Sequence, residues 1–486
     1  MPPSYPKFYL LPSSREYKCD DRFSLHPTGG QVEDENGQVP FWPVLRQVLS
    51  QPVNSTAGLI DILDTISVTL RGTSKPAGDY ELLLEEITSL SCNIFFEKIW
   101  PRLVTVALEM PVLFPDDQLP VLGQNRASNH LRFSRRQVAC LAVHQFLRTL
   151  SVPSWRDDDG THDFGIWYSS QQRQPSAVRA YLRALMLYFS EVVCEDEQID
   201  IGVEDWAVDY TLHFLPERYD EIIAEDRPLA ELKVVVVEKY DTSPASLGVD
   251  TNRQAVVLSS NKIVGFGQSA TQEEVHVGIS PEACPIVLVT PPLGKEQILK
   301  VRGAQAMVNI IGKGRDITVE TGMPFREGSQ TAWKQRTMLF MDALELDLVD
   351  GGGLTDLGTE NMARETAKAY TAFSSSLDGS MSEIRTGLWG CGAFGGDPEV
   401  KMLLLWLAAS TAGVKLMVVC EDELQTFAQR LQDVVHMMQQ TVCGTVFLRN
   451  LLQEIPKGLS RGETLEWLKK GAQRASQTSE AQGGAA

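Results

Sequence analysis

The chain has no paired cysteines. Its eight, at positions 19, 92, 140, 194, 284, 391, 420 and 443, are scattered; none forms a CxxC pair, and no His/Cys cluster has zinc spacing. This argues against structural zinc and reads as buried thiols in a reducing compartment. No metal and no cofactor is expected. Positive charge is also short: 44 Lys+Arg against 63 Asp+Glu leave a formal net charge of −19. Clamping nucleic acid needs basic patches, so no direct nucleic-acid partner is expected. A phosphorylated ligand would have to be held by backbone amides and a few local cations. No apolar run approaches the roughly 18 residues of a membrane span. The start, "MPPSYPKFYLLPSS", lacks the basic region and long apolar core of a signal peptide. The expectation is a soluble intracellular protein without membrane attachment.

What is present is 43% apolar and 22% charged residues over 486 positions, enough for two or three domains and at least one large core. Residues 1–40, rich in Pro, Gly and acid, read as an extended arm. From about 41 to 225 the pattern is helical. "FFEKIWPRLVTVALEMPVLF" repeats apolar residues at helical spacing, with Pro101 predicting a kink or early break. "FSRRQVACLAVHQFLRTL" opens with Ser134 and Gln137, a capping box. "PSAVRAYLRALMLYFSEVV" places Pro175 in a first helical turn. Near residue 231 the grammar changes. "LKVVVVEKY" reads as a strand buried on both faces, and "AVVLSS", "CPIVLVT" and "VKLMVVC" as further strands with helical patterns between them. "DELQTFAQRLQDVVHMM" is a strongly amphipathic helix. Strands alternating with helices predict an α/β layered domain whose ligand binds at the carboxyl ends of its strands. The tail from about 471 reads as disordered.

Two stretches carry chemistry. In "GFGQSATQEEVHV" (265–277), Thr271 and Glu274 have capping-box spacing, while Glu273 and Glu274 form a carboxylate pair beside a glycine turn. The two readings compete at Glu274, because a carboxylate reaching back to the Thr271 amide is not a free acid. In "GCGAFGGDPEVKMLLLWLAAS", Asp397 is a good N-cap and Pro398 suits the first helical position. The loop before them, Gly390 to Gly396, presents backbone amides at the positive end of a helix: either an anion cradle, with Phe394 packing on a ribose or base, or a structural glycine corner. It matches neither the dinucleotide fingerprint nor the Walker A pattern. A glycine loop for a pyrophosphate plus a glutamate pair suggests a hydrolase acting near a nucleotide sugar. His144, His213 and His276 read as structural, and a redox role for Cys391 is not expected.

"GLWGCGAFGGD" (387–397) and "QEE" (272–274), with "FFEKIWPRLVTVALEMP", "SRRQVACLAVHQFL", "MDALEL" and "AKAYTAF" in the same order, resemble the poly(ADP-ribose) glycohydrolases over most of residues 90–440. The resemblance implies an α/β macrodomain-like three-layer sandwich with an N-terminal all-helical accessory domain. The corresponding division is an arm at 1–40, an accessory domain at 41–230, a catalytic domain at 231–470 and a disordered tail at 471–486. It further implies hydrolysis of the ribose–ribose O-glycosidic bonds of poly(ADP-ribose). Glu274 would be the general acid/base, and Glu273 would bind ribose hydroxyls of the scissile unit. Asn261, Gly265, Gly267, Gln272, Gly392, Ala393 and Phe394 would bind substrate. The implied partners are poly(ADP-ribose) and ADP-ribosylated proteins, met by a monomer in the nucleus and/or cytoplasm in the DNA damage response.

The chain departs from that pattern in its turn. Gly265-Phe266-Gly267 stands where the family shows three glycines, followed by a loop about three residues shorter. Leu388 replaces an asparagine, Lys313 an adenosine-side tyrosine, and Leu258 an aspartate. The alternative expectation is therefore an ADP-ribose-binding macrodomain with weakened chemistry.

Overall fold

The computed structural model describes residues 5–28, 33–72, 79–123, 129–157, 160–194, 207–242, 254–313, 316–320, 336–347, 354–375, 382–440 and 443–471. The expected disordered tail lies, after its first residue, outside them.

Ser134 and Gln137 form the predicted capping box. The Ser134 hydroxyl accepts from the Gln137 amide at 3.2 Å, and the Gln137 side chain accepts from the Ser134 amide at 2.9 Å. The helix they open, α1 (Arg135–Leu147), is buried on every side. Its His144 is satisfied by the Thr149 hydroxyl and the Ala107 carbonyl, and burial lowers its pKa to about 4: a core histidine. α2 (Pro175–Leu187) begins at the predicted proline. The break expected near Pro101 is a π-helical turn at Phe95–Ile99, after which Trp100–Leu108 is α-helical with the proline in its first turn, where no amide is needed. The first 40 residues are tied to this helical half: Tyr9 and Tyr17 are buried, and their hydroxyls donate to the Ser151 and Thr149 carbonyls.

The central sheet has eight strands, β1 (His130–Ser134), β2 (Ala207–His213), β3 (Leu232–Val237), β4 (Gln254–Ser260), β5 (Ile298–Arg302), β6 (Thr337–Asp342), β7 (Glu383–Thr386) and β8 (Lys415–Glu421), in the order β1-β2-β5-β6-β4-β7-β8-β3. From β6 to β3 neighbours run parallel; β5, β2 and β1 extend the sheet antiparallel. Side chains alternate across it. Leu258 and Phe340 enter a core continuous with the helical half. Val257, Leu339 and Ile384 enter a second core under three helices: α4 (Thr359–Ser374), α5 (Pro398–Ala412) and α6 (Gln425–Gln440), with α3 (Gln272–Gly278) on the first face. This is the three-layer α/β sandwich with a helical N-terminal part.

Three local expectations are corrected. "CPIVLVT" is not a strand; Ile286–Val289 is a short, fully buried helix. A short apolar run has no periodicity to separate the two states. The "LKVVVV" run is not buried on both faces. It is the outer edge strand β3, with Val236 42% exposed, and its Val234 amide is capped by the Gln432 side chain of α6. The stretch from 41 to 225 is not wholly helical, since β1 and β2 leave it to join the sheet. The two halves are also joined through charge. Arg135 of α1 pairs with the fully buried Glu282 at 2.9 Å and donates to Gln305, while the Tyr210 hydroxyl donates to the Glu282 carbonyl. Among the described residues no helix is long and apolar enough to cross a membrane.

Candidate active site

β4 and β7 are adjacent and parallel, so the segments that follow them emerge at the same edge of the sheet. These segments are the two glycine loops, which lie well apart in sequence but follow neighbouring strands.

After β4 the chain runs through Asn261 and the turn Gly265–Gly267 to α3. Thr271 caps α3: its hydroxyl accepts from the Glu274 amide at 3.3 Å, and Glu274 Oε2 accepts from the amides of Thr271 (3.1 Å) and Ser269 (2.8 Å). Glu274 thus folds back on its own cap, as the helix-start reading anticipates. Between those two amides Ala270 adopts φ +56°, the left-handed region that costs a non-glycine residue about 1–2 kcal/mol, and this bend turns both amides onto one carboxylate oxygen. A Cβ at Gly267 would collide with Glu274 Oε1, so any larger residue there would push the carboxylate aside. At Gly265 a Cβ would lie 2.8 Å from Val287 and 2.9 Å from the Arg156 guanidinium.

Glu273 is buried beneath the turn. Its Oε2 accepts from the Asn261 amide at 2.9 Å and its Oε1 from the Gly265 amide at 2.7 Å. Burial pushes its pKa to about 8, over the opposing pull of those amides and with help from Glu274. Burial also raises Glu274, against the amides of its cap. Gln272 is engaged with the sheet, accepting from the Ser259 amide at 3.0 Å and locking α3 to β4. Asn261 is exposed, and its side-chain oxygen accepts from the Ile263 amide. Leu258 is fully buried in the apolar core, away from the turn's polar groups.

After β7, the loop from Gly390 to Gly396 ends at Asp397, whose side chain caps the Val400 amide at 3.0 Å with Pro398 in the first turn of α5. The amides of Gly395 and Gly396 are spent on carbonyls of the loop itself, and that of Cys391 on the Leu388 carbonyl just before it. Among the described residues, none accepts from the amides of Gly392, Ala393 or Phe394, and Gly392 and Ala393 are exposed. Three consecutive amides ahead of a 15-residue helix are therefore left without an acceptor among the described residues, an arrangement suited to an anion. Phe394 packs partly on the second core, as does Leu388. Beneath the loop Lys401 is buried, paired with Glu365 and near Asp356, with its ammonium 5.0 Å from the Trp389 ring centre. A Cβ at Gly396 would fall 2.6 Å from Lys401 Cε, so glycine there lets the lysine pass under the loop.

Of the further groups around the site, Tyr240, Arg336 and Arg385 are not marked in the sequence. His276 packs inward. Its Nε2 lies 2.6 Å from the Tyr240 hydroxyl and its Nδ1 3.3 Å from the Arg336 guanidinium. Arg336 can only donate, so Nδ1 accepts and Nε2–H points at Tyr240. Burial and the nearby Arg336 and Arg385 keep this imidazole neutral. Arg385, Val419 and Ile311 help to line a cavity of about 400 Å³ at the carboxyl ends of β7, β8 and β3. Beside it, Lys313 pairs with Glu421 at 2.8 Å and Glu423 at 3.1 Å. A larger depression, about 740 Å³, lies between helices Thr56–Arg71 and Glu81–Leu90 and contains none of the candidate residues. Burial raises the Cys391 thiol, opposite to what a reactive thiolate needs. Among the described residues no group of His, Cys, Asp and Glu could hold a metal ion.

Comparison with known proteins gives two family matches. Residues 229–427 match "Poly (ADP-ribose) glycohydrolase (PARG), Macro domain fold", and residues 88–204 match "Poly (ADP-ribose) glycohydrolase (PARG), helical domain", together well over half of the chain. The chain is 24% identical over 230 residues to a probable poly(ADP-ribose) glycohydrolase 2 of Arabidopsis thaliana, covering 39% of this chain and 43% of that protein. It is 27% identical over 161 residues to poly(ADP-ribose) glycohydrolase 2 of Caenorhabditis elegans, covering 31% and 33%. The matched part thus spans less than half the length of either relative. A crystal structure of the poly(ADP-ribose) glycohydrolase of Deinococcus radiodurans in complex with ADP-ribose aligns with 15% identity and a TM-score of 0.29, covering 46% of this chain and 95% of that one. That superposition is too partial to bear on the site.

Proposed function

The chain belongs to the poly(ADP-ribose) glycohydrolase family, and from that premise we propose that it hydrolyses the ribose–ribose O-glycosidic bonds of poly(ADP-ribose), releasing ADP-ribose. The observation that carries the reading is the emergence of the two loops from the adjacent strands β4 and β7: a carboxylate pair, one buried and one half-buried, beside one, and three amides that no described residue accepts from on the other. The anionic diphosphate would take the amides of Gly392, Ala393 and Phe394, which suits a chain of net charge −19 that has few cations to spend.

In this reading Glu274 works as acid and then as base. Protonated, it gives its proton to the leaving ribose oxygen as the anomeric C–O bond breaks and an oxocarbenium-like ribose forms. As carboxylate, it then takes a proton from the water that attacks that carbon. A pKa raised by burial favours the protonated start. The cap and the chemistry do not exclude each other, because a carboxylate has two oxygens. The amides of Ser269 and Thr271 fall on Oε2, and they orient Oε1 beside Gly267. Glu273 keeps the turn in place through both of its oxygens, and their remaining lone pairs are what a ribose hydroxyl would meet. Asn261, Gly265, Gly267 and Gln272 shape the same wall. The division into an accessory domain at 41–230 and a catalytic domain at 231–470 belongs to this proposal. So does action on ADP-ribosylated proteins as a monomer in the nucleus, the cytoplasm or both.

The test is incubation with automodified polymer. Release of free ADP-ribose by the wild type and not by Glu274→Gln supports the proposal. Tight ADP-ribose binding without release would replace it with a binding module, the outcome that Leu258 and the engaged Glu274 would then explain.

A further inference from the structure

We propose that the helical half positions the active-site turn, with Trp167 and Phe266 as positioning residues for Glu274. This rests on reading the 265–274 segment as the active site. The turn is gripped at four points from outside its own domain sequence. The Arg156 guanidinium donates to the Val264 carbonyl. The Trp167 indole N–H donates to the Gly267 carbonyl at 2.9 Å, across 100 residues of sequence. The Gln268 side chain returns a bond to the Ile166 carbonyl at 2.7 Å. Phe266, 3% exposed, lies against Phe164 and Trp167 with ring centres 5.5 and 5.1 Å away, and those two rings are themselves stacked at 5.0 Å.

The gripping element is rigid for local reasons. Asp163 accepts the Gly165 amide at 2.8 Å and opens the 3₁₀ turn Phe164–Trp167. Asp163 is buried and held by Arg71 at 2.7 Å and Arg148 at 3.3 Å. Arg148 passes so close to Gly165 that a Cβ there would strike its side chain, which packs the 3₁₀ turn directly against that arginine. Phe266 thus has a specific use: an aromatic at the centre of the turn gives the helical half something to hold. Gly267 is both the residue that Trp167 binds and the residue against which Glu274 Oε1 rests, so displacement of that peptide displaces the acid. A displacement of an ångström at a reacting group is enough to cost a large factor in rate.

The experiment uses the full chain and the variants Trp167→Phe, which keeps an aromatic ring but removes the N–H donor and some ring volume, and Phe266→Leu, which keeps apolar volume and removes the ring contacts. Hydrogen exchange is read at the amides of Gly265, Ser269 and Thr271, which bind Glu273 and Glu274. Both variants should exchange about tenfold faster at these amides, with α1 unchanged, a size matching loss of one buried hydrogen bond for Trp167→Phe and of an aromatic packing contact for Phe266→Leu. On polymer, kcat should fall about tenfold with KM within about twofold, since the acid moves and the anion loop does not. Unchanged exchange at the three amides, or faster exchange spread equally over α1, overturns the inference. A wild type that releases no ADP-ribose would instead defeat the glycohydrolase reading, and the exchange result would still decide this one.

Discussion

The amide of Gly265 donates to Oε1 of Glu273 at 2.7 Å, so the glycine turn and the start of α3 hold each other through a buried carboxylate. Burial places the pKa of that carboxylate at about 8, against an ordinary 4.5. The folded protein therefore keeps a proton that the unfolded chain releases. The stabilisation is complete below the unfolded value and is lost as pH rises through the folded one. Wild-type melting temperature should fall between about pH 5 and 8 by more than that of Glu273→Gln, which has no proton to lose. Thermal melts across that range check this, and equal slopes for the two proteins would contradict it.

Glu274→Gln separates cap from acid. A glutamine carbonyl still accepts the Ser269 and Thr271 amides, and glutamine is itself a capping-box residue. The melting temperature should stay close to wild type while polymer turnover falls by about 10²–10⁴-fold. Glu274→Ala should lose turnover and, in addition, about 1 kcal/mol of stability, read from urea melts.

The two glycine loops should answer differently to a methyl group. Gly267→Ala drives a Cβ into the Glu274 carboxylate, whereas nothing lies within 4 Å of a Cβ at Gly392. Turnover should drop at least tenfold for the first and change less than about threefold for the second, since an alanine keeps the amide that the anion would use. A sharp loss at 392 with none at 267 would invert the assignment of roles.

Arg135 and Glu282 are a buried pair at 2.9 Å that joins α1 to the macrodomain part of the chain. Glu282→Gln should destabilise the protein by about 3–5 kcal/mol, because a buried guanidinium is left without its counter-charge. An Arg135→Met, Glu282→Leu double variant should recover much of that loss. Chemical denaturation measures both, and a single variant as stable as wild type would show that Gln305 alone satisfies Arg135.

Local chemistry was legible wherever neighbours in sequence decide the outcome. Both capping boxes, Ser134 with Gln137 and Thr271 with Glu274, were readable, as were the Asp397-Pro398 helix start and the amphipathic helix from 425. The edge position of β3 and the helical state of Ile286–Val289 were not, because an apolar run carries no record of which neighbours cover it. Lys401, Tyr240 and Trp167 gave no signal in sequence, since each acts through a partner between 12 and 100 residues away.

By itself, then, the sequence determined the layered α/β class, the start of each key helix and the residue types at the site, since these follow from periodicity, capping and backbone freedom within a few residues. Only the tertiary structure decided that loops about 120 residues apart leave adjacent parallel strands and that Phe266 is held by aromatic rings of the helical half. Those outcomes depend on strand order and on packing between distant side chains, which burial selects and no local pattern encodes.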